Sequence, residues 1–248
     1  MPNLFVIAGP NGAGKSTSAP ELLTGARRVD EFVNADVIAK ETNVSDVAAG
    51  RMTLHRLTEL ANARKDVAFE TTLSGHLLLP RIRSMQRKGY LFHLIFFWLP
   101  SADTAIRRVA SRVAGGGHSI PEDVIRRRYE RGLENFFNHY SAAADSWVVF
   151  DNSNSPPARR IAWRDLGGAV CIGDNSLWRQ LTTRYMKPRV EQPKAVAAPE
   201  RLWTSENLLD AVNRSVRAAL KRHKELGQSI VVWRDGQVVT LKPEEIEV

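Results

Sequence analysis

The sequence predicts an α/β protein of three layers, a parallel sheet with helices packed on both faces. Three observations lead there. Short apolar runs alternate along the chain with stretches of helical spacing. Several of those runs, Leu91 to Leu99 (LFHLIFFWL) above all, are almost wholly apolar, as strands covered on both faces must be. The first run passes straight through a glycine-rich loop into the start of a helix. In such a sheet, ligands bind at the carboxyl ends of the strands.

Taken in order, Leu4-Phe5-Val6-Ile7-Ala8 is the first strand, Gly9 to Gly14 the loop, and Lys15-Ser16-Thr17 the helix start. Further strands are expected at Glu31 to Asp36 (EFVNAD), Val67 to Thr72 (VAFETT), Leu91 to Leu99, Trp147 to Asp151 (WVVFD) and Ala169 to Ile172. Helical spacing covers Val44 to Lys65 and Leu77 to Lys88, the latter closed by Gly89. Ser101 is an N-cap for an Arg- and Ala-rich helix to Val113, which breaks at Ala114-Gly115-Gly116-Gly117-His118. A second charged helix follows Pro121 and reaches about Ala144. The three glycines read equally as the hinge of a mobile lid over about residues 101–145 or as a plain connecting loop. His118 fits a hinge position better than an acid or a base.

The main domain is expected over residues 1–185, and Pro and Ala replace the periodic pattern in a linker at 186–200. Residues 201–248 form an appendage. Its amphipathic helix runs from Ser205 to Leu226 and closes at Gly227. A hairpin follows, Ile230 to Trp233 and Gln237 to Leu241, turned by Asp235-Gly236. A helix and one hairpin cannot be stable alone, so they should pack on the main domain or on a second subunit.

The composition is that of a globular protein: 43% hydrophobic and 25% charged residues in 248. Lys+Arg of 35 against Asp+Glu of 27 gives a formal charge of +8, which points to phosphate-bearing partners, either nucleotides or nucleic acid. The single Cys171 excludes an intrachain disulfide framework and suits a reducing compartment. No apolar run approaches the roughly 20 residues of a membrane span, and the N-terminus has no secretion signal. A soluble, cytoplasmic protein without a membrane partner is expected.

Gly9-Pro10-Asn11-Gly12-Ala13-Gly14-Lys15-Ser16-Thr17 contains the Walker A pattern G-x-x-x-x-G-K-[ST]. Its glycines let backbone N–H groups converge on phosphate oxygens, Lys15 reaches the β- and γ-phosphates, and the Ser16 hydroxyl suits Mg²⁺. A match arises by chance on the order of once in a hundred chains of this length. The fold class is therefore that of the P-loop NTPases and kinases, with ATP and Mg²⁺ as the expected cofactors. Thr72-Leu73-Ser74-Gly75-His76 partly resembles the signature of ABC-type ATPases, but the next strand ends Trp98-Leu99-Pro100 rather than Asp-Glu, which argues against that class.

A small-molecule kinase needs a carboxylate beside the acceptor hydroxyl and cations over the transferred phosphoryl group. Asp36, closing Asn34-Ala35-Asp36, is the candidate general base. Glu70, in Phe69-Glu70-Thr71-Thr72, is a candidate to hold substrate or a water on Mg²⁺, and Thr71 and Thr72 are candidate substrate contacts. Seven arginines lie between Arg107 and Arg131 against three acids, half of the chain's net charge. Arginine's fork suits phosphate oxygens, so Arg112 on one side of the glycines and Arg127 or Arg128 on the other are candidate lid cations. The remaining arginines read as a solvated helix face.

Together, GPNGAGKST at 9–17, NAD at 34–36, FETTLSG at 69–75, the stretch RVAGGGHSIPEDVIRRRYERGLENF from Arg112 to Phe136, and VVFDNS at 148–153 resemble the zeta toxin family of P-loop kinases over roughly residues 1–175. The resemblance implies ATP- and Mg²⁺-dependent phosphorylation of UDP-N-acetylglucosamine at the sugar 3′-hydroxyl. It implies Asp36 as base, Glu70 as a substrate contact, and Arg112 with an arginine at 126–128 as lid cations. It further implies control by an antitoxin or by an additional segment of the chain, here residues 201–248. Two alternatives stand beside it: a kinase of another small hydroxyl compound or nucleotide, and a nucleic-acid-associated NTPase. The concentration of charge on the lid, with no aromatic-interleaved RNA motif, argues against the second. Lys221-Arg222-His223-Lys224 reads as an exposed helix end rather than a docking patch.

Overall fold

The central strand, β1 (Asn3–Ala8), is buried at all six positions. It is flanked in parallel by β3 (Val67–Thr71) and β4 (Leu91–Trp98), whose apolar residues leave both faces free for helices. In this computed structural model the described residues are 1–23, 29, 31–42, 44, 46–75, 77–153, 158–187, 205–234 and 237–247, without the side chains of 21, 23, 36, 39–41, 46–47 and 205–207. The expected linker at 186–200 therefore lies outside the described residues apart from Met186 and Lys187, and so does the Asp235-Gly236 turn.

Seven strands form one sheet in the order β2-β3-β1-β4-β5-β6-β7, with β2 at Glu31–Val33, β5 at Ser146–Asp151, β6 at Arg159–Arg164 and β7 at Val170–Ile172. The first five strands are parallel, as expected. β6 runs against both of its neighbours, β5 and β7, so the sheet is mixed at this edge where the sequence predicts a parallel one. The reason is connection length: the chain between Asp151 and Arg159 is too short for the crossover of a dozen or more residues that parallel strands need.

Asp36 does not end a strand either. β2 stops at Val33, and α2 (Ala35–Thr42) begins because Asn34 caps it, its Oδ1 accepting from the Val37 N–H at 3.4 Å. The other helices follow the sequence pattern closely: α1 (Lys15–Leu23), α3 (Asp46–Asn62), α4 (Leu78–Arg87) and α5 (Ala102–Ala114). The Ser101 hydroxyl caps α5, accepting from Thr104 N–H at 3.1 Å. After the glycines come α6 (Glu122–Asn135), a π-helical turn over Phe136–Tyr140 and α7 (Ser141–Ala143).

The wider π turn accompanies the burial of both Phe136 and its neighbour Phe137. Phe136 meets Phe96 of β4 at 4.9 Å between ring centroids and Trp147 of β5 edge-on at 5.7 Å. With Ile125, Tyr129, Leu133 and Tyr140 also buried, the helix after Pro121 is fastened to the sheet along its length. The longest exposed stretch of the 101–145 region is Ala114 to Asp123, interrupted only by half-buried Gly117 and Ile120.

Beyond α8 (Asn175–Tyr185), the C-terminal helix α9 (Ser205–Glu225) lies along α1, and its Leu208, Ala211 and Val212 join the main core. The hairpin of β8 (Ile230–Arg234) and β9 (Gln237–Leu241) packs with the end of α9 around Leu220, Val232 and Ile246, and rests on α5. No helix among the described residues is long and apolar enough to cross a membrane.

His93, buried in β4, ties the sheet's polar lower end together. Asn3 Oδ1 accepts from its Nε2 at 3.1 Å, and its Nδ1 pairs with the Ser146 hydroxyl at 2.7 Å. Burial pushes its pKa down to about 4, against the pull of Asp145 and Asp66. The unfolded chain takes up the proton near pH 6.5 while the folded chain resists until about pH 4, so this stability is complete above pH 6.5 and lost as pH falls through that window. Unfolding free energies from urea titrations at pH 7.5 and pH 4 should differ more in the native protein than in His93→Gln, by about 2 to 3 kcal/mol.

Candidate active site

The loop between β1 and α1 is forced into a tight cradle by its glycines. Gly9 has φ +140°, and a Cβ there would stand 2.3 Å from the Phe97 carbonyl oxygen, so no other residue lets the loop leave the sheet this close to β4. Gly14 has φ +81°, and a Cβ there would meet Asn152 Nδ2 at 2.8 Å. That amide fixes the loop from the far side by donating to the Ala13 carbonyl at 2.8 Å. The loop opens onto the N-terminus of α1, where unpaired N–H groups and the helix dipole favour an anion.

Lys15 is buried; its Nζ donates to the Pro10 carbonyl at 2.9 Å and lies 3.7 Å from Glu70 Oε1. Glu70, at the end of β3, accepts from the Ser16 hydroxyl at 2.7 Å and from Asn34 Nδ2 at 3.1 Å. One carboxylate thus joins the P-loop end of α1 to the β2–α2 turn. A hydroxyl beside a carboxylate at the phosphate cradle is a hard oxygen donor set that fits Mg²⁺, which takes few protein ligands and completes its shell with water and phosphate.

Two cavities meet here. The larger, about 560 Å³, runs from the P-loop past Arg108, Arg112 and Asn152 to α9 and β8. The smaller, about 170 Å³, is lined by Asn34, Ala35, Thr71, Thr72, Ser74 and Arg128. Asn11, Lys15 and Glu70 belong to both walls. The smaller one is shaped by the turn after β3, where Leu73 holds φ +55° and its N–H donates to the Thr71 hydroxyl at 3.1 Å. A non-glycine residue in that region is strained, and α6 holds it there: Asn135 Nδ2 donates to the Leu73 carbonyl at 2.7 Å. Gly132 lets the helix approach so closely that a Cβ would stand 2.5 Å from the Thr72 carbonyl oxygen.

Of the sequence-predicted residues, the P-loop, Glu70, Thr71, Thr72, Arg112 and Arg128 line one or both cavities, except that Gly9, Pro10 and Ala13 form the loop behind them. Arg112, whose guanidinium donates to the His118 carbonyl at 2.9 Å, braces the glycine loop. Arg127 is exposed and lines neither cavity. Arg126 pairs with Asp103 at 2.6 Å. Asp36 is the second residue of α2, next to the cavity-lining Ala35; its side chain is outside the described residues.

Two contributors were not singled out by the sequence. Arg108 donates to the carbonyls of Asn152 at 2.8 Å, Ser153 at 2.9 Å and Val231 at 3.1 Å, and burial pulls its pKa down to about 10 against the opposing attraction of Asp151. Its signal was helix phase, since it stands one turn before Arg112. The other is the C-terminal segment, which walls the far end of the larger cavity with Leu220 and His223 of α9 and with residues 228–232.

Residues 4–139 match the model of a family described as an AAA domain. An uncharacterized protein of Haemophilus influenzae is 29% identical over 126 residues, which are 49% of this chain and 88% of that one. Among solved structures, the AvrRxo1-ORF1:-ORF2 complex with ATP is similar with a TM-score of 0.56 at 18% identity, over 91% of this chain and 81% of that one. The structure of the PezAT chromosomal toxin-antitoxin system of Streptococcus pneumoniae is similar with a TM-score of 0.53 at 12% identity, over 89% and 88% of the two chains. These likenesses show the fold, an α/β P-loop kinase-like fold.

Gly14→Ala tests the cradle. With a left-handed backbone and the Asn152 amide in the way, it should remove measurable binding of inorganic tripolyphosphate in calorimetry and lower stability by about 1–3 kcal/mol. Retained binding would show that the loop does not hold phosphate in this conformation.

Proposed function

The chain belongs to that AAA domain family, and from this premise we propose that it is an ATP- and Mg²⁺-dependent phosphotransferase of the zeta toxin type, acting on a hydroxyl of a small molecule. The observation that carries the reading is the shared wall of Asn11, Lys15 and Glu70: a phosphate cradle opens directly onto a second, polar cavity. A hydroxyl in the smaller cavity would face a γ-phosphate held by the P-loop across Lys15. Arg128, from the far wall of that cavity, supplies a second cation for the charge on the transferring group. Asp36 accepts the hydroxyl proton as the new O–P bond forms and the bond to the β-phosphate oxygen breaks, releasing ADP. Ser16 and Glu70 would hold Mg²⁺, whose chemistry there would be to offset the charge of the nucleotide phosphates. Arg112 steadies the glycine loop beside the donor cavity.

For the acceptor, the sequence resemblance favours UDP-N-acetylglucosamine, with the sugar ring in the smaller cavity and phosphorylation at the 3′-hydroxyl. The size of that cavity, about 170 Å³, favours a second reading, a small polyhydroxy acid or alcohol, because drug-sized ligands fill about 300 Å³ or more. The likeness to the PezAT toxin-antitoxin system supports an antitoxin as a partner.

The protein incubated with Mg²⁺, ATP and a panel of UDP-sugars and small polyols should phosphorylate one class, read as an added phosphate in mass spectrometry. Transfer to polyols alone would overturn the UDP-sugar acceptor, and no transfer with any member would overturn the acceptor assignment altogether. Asp36→Asn should lower the transfer rate about 10²- to 10⁴-fold with ATP affinity little changed. Equal loss of both would make Asp36 a structural residue.

A further inference from the structure

The larger cavity is longer than its phosphate end requires, and its far wall comes from residues more than 200 positions away in sequence. Two sets of atoms there are unexplained. The first is the outer edge of β8. Residue alternation in an antiparallel pair turns every second residue's N–H and C=O away from the partner strand. In β8 the outward set is marked by two bonds: the Val231 carbonyl accepts from Arg108 Nε at 3.1 Å, and Trp233 N–H donates to the Ser153 carbonyl at 3.0 Å. Val231 N–H lies on that same edge, and the same alternation carried one residue before the strand turns the Ser229 carbonyl to it; both residues line the cavity. Neither of these two groups has a hydrogen-bond partner among the described residues.

In an extended strand, the C=O of one residue and the N–H of the residue two places on stand side by side, one acceptor next to one donor. The second unexplained group is His223 Nδ1, buried in α9 with no hydrogen-bond partner among the described residues, in a residue that lines the same cavity. Between these polar groups the wall is apolar, with Val216, Ala219 and Leu220 of α9.

We infer that this C-terminal wall is the nucleobase site and that it selects adenine: Ser229 C=O accepts from the 6-amino group, Val231 N–H donates to ring N1, and the base lies against Val216, Ala219 and Leu220. The inference rests on the phosphate-donor reading of the P-loop cavity and adds to it the element that reads the base. A purine fits because one planar face needs apolar cover and one edge needs a donor and an acceptor side by side. Adenine presents an amino donor next to a ring acceptor, the complement of this edge. Guanine presents the reverse order, an oxygen acceptor next to a ring N–H, and sets like against like in the same pose. The helix and hairpin are then part of the substrate site, and Arg108, bonded to the Val231 carbonyl, positions the reading edge against the phosphate cradle.

The test is calorimetric binding of ATP, GTP, purine riboside triphosphate (which lacks the 6-amino group), 1-deaza-ATP (which lacks N1) and inorganic tripolyphosphate to the full chain. ATP should bind about tenfold or more tighter than GTP, and each purine analogue about three- to tenfold more weakly than ATP, the worth of one hydrogen bond. Val231→Pro removes the donor on an edge where the N–H is not part of the ladder, which a strand tolerates. It should weaken ATP about tenfold and leave tripolyphosphate unchanged, with folding checked by circular dichroism. Equal affinity for ATP, GTP and both analogues, or a folded Val231→Pro that keeps the full preference for ATP, would overturn the base site while leaving the phosphate site standing. Failure of every ligand, tripolyphosphate included, would overturn the phosphate reading and this inference with it. The ligand series on the native protein decides the matter even if the variant fails to fold.

Discussion

The Glu70 carboxylate is the constraint on which the rest of the site depends. It is about 10% exposed and is held by a lysine and a hydroxyl from the start of α1 and by an amide from the β2–α2 turn. A carboxylate so little hydrated needs such partners, and they in turn lose their orientation without it. The register of the sheet brings this about: β3 lies beside β1 with Glu70 opposite Ile7, so Glu70 sits at the level where the P-loop departs. On the other side Val33 pairs with Phe69, which delivers Asn34 to the same carboxylate one residue later. Asn34 also caps α2, so the placement of Asp36's backbone follows from the same cluster.

The parts of this site that were legible in the sequence are those whose chemistry requires contiguous residues. A phosphate cradle needs glycine where φ is positive and a lysine and hydroxyl at fixed offsets, and Gly9, Gly14, Lys15 and Ser16 carry that requirement in one short segment. Glu70 was legible for a related reason, as a charged residue closing an otherwise apolar strand at the ligand end of the sheet. Asp36 was assigned to the wrong element because an asparagine at a strand end can equally start a helix, and only the Asn34 cap distinguishes the two. Strand β6 was hidden by Arg159, Arg160 and Arg164, which leave only Ile161-Ala162-Trp163 as an apolar signal.

The far wall of the larger cavity was illegible for a different reason. Its contacts span the length of the chain, as in Ser215 Oγ to the Ser18 carbonyl at 3.4 Å and Arg108 to Val231, and no local pattern records them. The amphipathic spacing of α9 shows that the helix must cover something. It does not show that α1 is what it covers, nor that the next residues line one cavity with the P-loop.

Charge told the least by itself and the most once it was located. Arg126 and Arg184 spend their charge on exposed pairs with Asp103 and Glu130, contacts of the kind that contribute about 1 kcal/mol or less. Arg108 has the same composition and a different consequence. Its guanidinium is enclosed by carbonyl oxygens of the β5 end and the hairpin, and at about 10 its lowered pKa still leaves it charged at neutral pH. Because Arg108 binds the Val231 carbonyl from one side and the Asn152 and Ser153 carbonyls from the other, the hairpin cannot leave α5 without exposing a buried cation together with its acceptors. The P-loop end of the cavity and the end formed by the C-terminal strand are therefore joined through one residue. A change in the hairpin should be felt at the loop after β5, and through Asn152 at the P-loop itself.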